Sequence, residues 1–83
     1  MREDDTPGVP LGRYRSLGPR MGVEFRCRAC DAWFEVPLED VISRLQARGV
    51  GGPDTGVRAV GRLAERPCRC GSLRFTTRPA FPR

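Results

Sequence analysis

The chain contains no histidine and no lysine. Losing histidine removes the commonest general base and the commonest nitrogen ligand of a catalytic zinc site. Ser16, Ser43 and Ser72 therefore have no imidazole to activate them. Glu35, Glu39, Asp40 and Glu65 read as solvated carboxylates on helix or strand edges. We expect no enzyme. Without lysine, all 15 basic residues are arginine, against 10 acids, for a net charge of +5. Arginine alone reflects either the codon bias of a GC-rich genome or an affinity for phosphate, which planar guanidiniums bind in bidentate fashion.

Long apolar runs are also missing. Nothing approaches the length needed to span a bilayer, so no membrane association is expected. The opening Met1-Arg2-Glu3-Asp4-Asp5 is polar and no apolar h-region follows it, so nothing reads as a signal peptide. The expectation is a cytoplasmic protein with reduced thiols.

Eighty-three residues allow one small domain. Pro7, Gly8, Pro10, Gly12, Gly18 and Pro19 punctuate the start, so residues 1–21 read as a disordered or extended tail. The domain is expected over 22–78, with a short C-terminal tail at 79–83. A core of roughly 60 residues rarely supplies more than ~3–5 kcal/mol. A structural zinc ion adds an apparent ~10–16 kcal/mol of binding free energy, which in such domains is folding free energy.

What the chain does have is four cysteines in two tight pairs, Cys27-Arg28-Ala29-Cys30 and Cys68-Arg69-Cys70. Reduced and paired, they point to one metal ion in a closed shell of four thiolates. Zinc takes such a tetrahedron with Zn–S near ~2.3 Å. Iron on the same thiolates is the alternative. A redox Cys-x-x-Cys normally opens a helix, whereas Cys27 ends a strand pattern. Gly71 after the second pair permits a left-handed turn, and Asp31 holds the equivalent place in the first. Four thiolates and one divalent ion would lower the net charge to +3. Arg26, Arg28 and Arg69 flank the ligands and offset the local negative charge.

Val23 to Cys27 alternates apolar and polar residues, as a half-buried strand does. Trp33-Phe34-Glu35-Val36 reads as its hairpin partner, with the first knuckle as the turn. Leu73-Arg74-Phe75-Thr76-Thr77-Arg78 reads as a third strand, with Leu73, Phe75 and Thr77 on one face. The 37 residues between the knuckles hold two helical signals. Pro37 suits a first helical position, and Leu38, Val41, Ile42 and Leu45 follow the i, i+3, i+4, i+7 pattern. Glu39 and Asp40 at the start and Arg44 and Arg48 toward the end suit the macrodipole, and Gly49 suits the C′ position. After Gly51-Gly52-Pro53, Asp54 or Thr55 caps a second expected helix that runs to about Glu65. Val57, Val60 and Leu63 recur in it at three-residue intervals. Gly61 sits inside it at a cost of about 1 kcal/mol relative to alanine.

The order Cys27-x-x-Cys30, strand, Leu38-x-x-Val41-Ile42-x-x-Leu45, Gly52-Pro53-Asp54-Thr55, Leu63, Cys70-Gly71-Ser72 resembles small bacterial zinc-ribbon proteins of unknown function. These carry a two-helix insertion between their knuckles. The resemblance covers about residues 22–78. It implies a small, metal-stabilised α+β fold, a zinc-ribbon-like three-stranded antiparallel sheet with two short helices between the knuckles. It implies one structural zinc on Cys27, Cys30, Cys68 and Cys70, and no settled activity. The family carries Cys-x-x-Cys at both ends, so Cys68-x-Cys70 departs from it by one residue.

Three roles fit such a module. One is a nucleic-acid-binding or regulatory accessory protein, with Arg26, Arg28, Arg74 and Arg78 on phosphates and Trp33 on a base. Another is an adaptor for a protein partner, signalled by an uncovered patch at Leu38, Val41 or Val57. The third is rubredoxin-like electron transfer on iron.

Overall fold

Val23, Phe25 and Cys27 alternate with Glu24 and Arg26, and that alternation builds the middle strand of the sheet. A computed structural model describes residues 8–64 and 66–81. Strand β1 (Gly22–Cys27) pairs antiparallel with β2 (Trp33–Pro37) and with β3 (Phe75–Ala80), in the order β2-β1-β3. Directly opposed residues share a face of the sheet. Phe25 therefore sits between Phe34 and Thr77, and Arg26 between Trp33 and Thr76. The first set faces the core and the second faces solvent.

Helix α1 (Leu38–Arg48) follows β2 without a loop. Leu38, Val41, Ile42 and Leu45 are all buried, as their spacing predicts. Pro37 stands one place earlier than expected, as the last residue of β2 and the N-cap. Gly49 ends the helix in the left-handed region, and Val50 N–H closes back on the Leu45 carbonyl at 3.1 Å.

The second helix is a five-residue 3₁₀ helix, Ala59–Leu63, and position 65 lies outside the described residues. The three-residue spacing of Val57, Val60 and Leu63 is the 3₁₀ period. Residues 53–56 are not free to be helical because their backbone is used elsewhere. Leu11 N–H donates to the Thr55 carbonyl at 2.9 Å, Gly12 N–H to that of Pro53 at 2.8 Å, and Pro10 bridges Gly56. Thr55 closes the turn instead of capping a helix: its hydroxyl accepts the Gly52 N–H at 2.9 Å.

Residues 8–21 are not a tail, which corrects the expectation for that stretch; residues 1–7 lie outside the described residues. A 3₁₀ helix runs over Leu11–Leu17, and Leu11 is wholly buried. Met21 is also in the core, and its carbonyl accepts the Leu38 N–H at 3.1 Å. Arg15 grips Glu39 with two hydrogen bonds of 2.9 and 3.0 Å, tying this segment to the first turn of α1. The pairing raises the Arg15 pKa and lowers that of Glu39, in both cases mainly through the hydrogen bond.

At the other end, β3 starts at Phe75 and runs two residues beyond the expected boundary, to Ala80. Pro79 is tolerated because β3 is an edge strand. Leu73 is exposed and outside the strand, because residues 71–74 belong to the second knuckle. Residues 82 and 83 are outside the described residues.

Thr77 joins the 3₁₀ turn to the sheet. Its buried hydroxyl donates to the Val57 carbonyl at 2.7 Å and accepts the Gly61 N–H at 3.1 Å. Gly61 lies so close to β3 that a Cβ there would stand 2.2 Å from the Phe75 carbonyl oxygen. Glycine at 61 is thus required by close approach and is not a defect in a helix.

Candidate metal centre

The hairpin turn and the segment before β3 bring the four cysteines to one end of the sheet. Their Sγ atoms all lie within 4.8 Å of one another. Cys27 Sγ is 3.5 Å from Cys70 Sγ, and Cys30 Sγ is 3.4 Å from Cys68 Sγ. All four are free thiols. A tetrahedron of thiolates about a zinc ion has sulfur–sulfur edges of about 3.8 Å, from Zn–S near ~2.3 Å. The quartet is compact enough to close around one ion, so these four residues could hold a metal.

The knuckles are built alike, and the second is one residue shorter. In the first, Cys27 N–H donates to the Ala32 carbonyl at 2.8 Å, and Asp31 N–H to the Cys27 carbonyl at 3.1 Å. In the second, Cys68 N–H donates to Ser72 at 2.9 Å, and Gly71 N–H to Cys68 at 2.8 Å. Asp31 at φ 63° and Gly71 at φ 89° make the same left-handed step. The loop is therefore shortened between the cysteines and keeps its frame. Cys68 reaches the cluster despite its displacement in sequence.

Burial differs sharply among the four. Cys27, at the end of the central strand, is wholly buried, while Cys30 and Cys70 are exposed and Cys68 is half-buried. Backbone N–H groups of the first knuckle, at Cys30 and then Ala29, bring the Cys27 thiol down to about 6, against the opposing effect of burial. For Cys30 the Ala32 backbone favours the thiolate, but the sulfurs of Cys68, Cys27 and Cys70, with burial, outweigh it. The Cys30 thiol is pushed up to about 12. Crowded sulfurs cannot all ionise together unaided; a divalent cation among them reverses that penalty.

Ser72, the last residue of the Cys70-Gly71-Ser72 motif, braces the second knuckle. Its carbonyl accepts Cys68 N–H, and its hydroxyl accepts Arg74 N–H at 3.1 Å. A serine directly after Cys-x-Cys-Gly is a turn signal.

The residues expected to meet nucleic acid divide. Trp33 and Arg26 are opposed across β1 and β2, both exposed on the outer face. Arg28 and Arg74 adjoin them, joined by a backbone hydrogen bond of 3.0 Å, and both are exposed. Arg78 stands apart in a hydrogen-bonded ion pair with Glu24 across β1 and β3. That bond lowers the Glu24 carboxyl and raises Arg78. Leu38, Val41 and Val57 are buried, so those three residues do not form the uncovered patch that would signal an adaptor.

Fold and site together define a small α+β protein, a three-stranded antiparallel sheet whose one end carries a four-cysteine cluster able to bind a metal ion. No family profile, curated protein or solved structure matches the chain. No helix among the described residues is long and apolar enough to cross a membrane.

Proposed function

We propose that Cys27, Cys30, Cys68 and Cys70 hold one structural zinc ion in a zinc-ribbon-like module, and that this module binds single-stranded nucleic acid through the outer face of its sheet. The metal part rests on the quartet of sulfurs within 4.8 Å. A shell of four thiolates leaves zinc no open position for substrate, and the chain has no histidine, so the role is structural and not catalytic. Metal analysis with native mass spectrometry tests it. One zinc per chain is the expected result; a red protein with one iron would instead favour rubredoxin-like electron transfer.

The binding part is carried by one observation: Trp33 lies exposed on the sheet beside Arg26, with Arg28 and Arg74 at the same end. An exposed indole next to guanidiniums offers stacking to a base and charge to the phosphates on either side of it. The chain has a single tryptophan, so its fluorescence reports directly on this face. A single-stranded oligonucleotide at ~50 mM salt should quench Trp33, and added salt should release it. Unchanged fluorescence and anisotropy at that salt would sink the reading.

A further inference from the structure

The inner face of the sheet is not fully covered. Phe25 and Phe75 are buried beneath α1 and the second 3₁₀ helix, but Phe34 on β2 stays 45% exposed. The uncovered space is a cleft of about 480 Å³ between the sheet, α1 and the residues Val60, Leu63, Ala64 and Arg66. Its floor is aromatic. Phe25 and Phe34 are stacked with centroids 5.1 Å apart, and both meet Phe75 edge to face at 6.0 and 5.8 Å. Val41, Leu45 and Val60 line the deep part and are buried.

The rim has a different chemistry. Arg44 and Arg48 reach it from α1, and Arg66 from the segment that leads to Cys68. All three are exposed, so charge lies at the mouth and apolar surface lies within. None of the described lining residues is acidic. Arg48 donates to the Leu63 carbonyl and so fixes α1 to the opposite wall. Arg44 and Arg66 have no ion-pair partner among the described residues.

We propose that this cleft binds a small amphiphilic anion, an alkyl or aryl body bearing one carboxylate or phosphate. The body lies on Phe34 and the headgroup is held by Arg44 and Arg66. The volume is that of a small-molecule pocket, and guanidiniums from two walls suit a planar anionic head. The site lies on the face of the sheet opposite Trp33 and Arg26, so it is independent of the nucleic-acid reading.

The test uses the full chain with its bound metal, labelled with nitrogen-15, and titrates decanoate against decan-1-ol. Decanoate should shift the amides of Phe34, Val36, Val41 and Leu63 saturably, at least about tenfold more tightly than the neutral alcohol. An Arg44→Gln/Arg66→Gln double variant should lose about tenfold in decanoate affinity and bind decanol as before. Both arginines are exposed, and an unchanged amide spectrum without ligand checks that the fold is kept. A second variant, Leu63→Trp, fills the apolar space with both arginines in place, and should weaken both ligands. No shift up to ~1 mM decanoate, the weak limit of specific binding, would overturn the proposal. So would equal affinity for acid and alcohol, or an undiminished response in either variant.

Discussion

The two ends of this small molecule are held by different means. At one end Leu11, Val23 and Ile42 are wholly buried, and the segment 9–12 is stitched by backbone hydrogen bonds to the 53–57 turn. At the other, three of the four cysteines are exposed or half-buried, and Trp33, Phe34 and Leu73 stand in solvent. The packed end is ordered by buried side chains and backbone hydrogen bonds. The cysteine end buries Phe25, Phe75 and Cys27 but leaves more apolar surface in solvent, and on the zinc reading proposed above its order would depend on the bound ion. Cys27 belongs to both, since it is a cluster thiol and a wholly buried core residue.

The largest break in this comparison is metal removal. Full chelation should cost more than any single core substitution, on the scale of the ~10–16 kcal/mol apparent for structural zinc. Circular dichroism with metal analysis checks it; an unchanged thermal melt after complete removal would show that the packed end carries the whole fold. Leu11→Ala comes next, at about 2–5 kcal/mol by urea denaturation. The comparison requires that this variant keep its full metal content when folded. Gly61→Ala should cost about 1–3 kcal/mol, because the clash is with backbone and no rotamer relieves it. Thr77→Val, which strands the Gly61 N–H and frees the Val57 carbonyl, falls in the same ~1–3 kcal/mol range. For both, amide exchange should quicken around residues 57–61 before it does so in the hairpin.

The smallest effect is that of Glu24→Gln on the outer face. The folded carboxyl is depressed by Arg78, so the pair adds stability above the unfolded carboxylate range. That contribution fades as pH falls through the lowered folded value. Wild type and Glu24→Gln should therefore differ slightly at neutral pH and converge in acid. A difference that grows as the pH falls would contradict the pairing.

How much of this could be read from the sequence follows from how local each signal is. α1 announces itself through Leu38, Val41, Ile42 and Leu45, and β1 through strict alternation; both are short-range patterns. The cysteine pairs gave away the cluster because spacing within each pair is local, and two such pairs of reduced thiols suit one shared metal ion. Leu11 was illegible. A single anchor among glycines and prolines has no period, and its burial depends on a turn more than forty positions away. The need for glycine at 61 is illegible for the same reason: the backbone it must clear, at Phe75, belongs to β3. The Val57, Val60, Leu63 spacing carries the 3₁₀ period, but the hydrogen bonds from residues 11 and 12 that shorten this helix leave no local mark in the sequence.

The strand order also has a meaning in time. β1 and β2 are neighbours in sequence and can pair as soon as the first knuckle turns. β3 must return across the 37 residues between the knuckles to reach the other side of β1. Closing a loop of that length costs about 3 kcal/mol before any contact repays it. If the cluster holds the proposed ion, one seated first on Cys27 and Cys30 would give the returning Cys68 and Cys70 a target at the very end of β1. On that route, the rate at which the sheet completes would rise with free metal concentration, and the order of assembly would be written into the order of the strands.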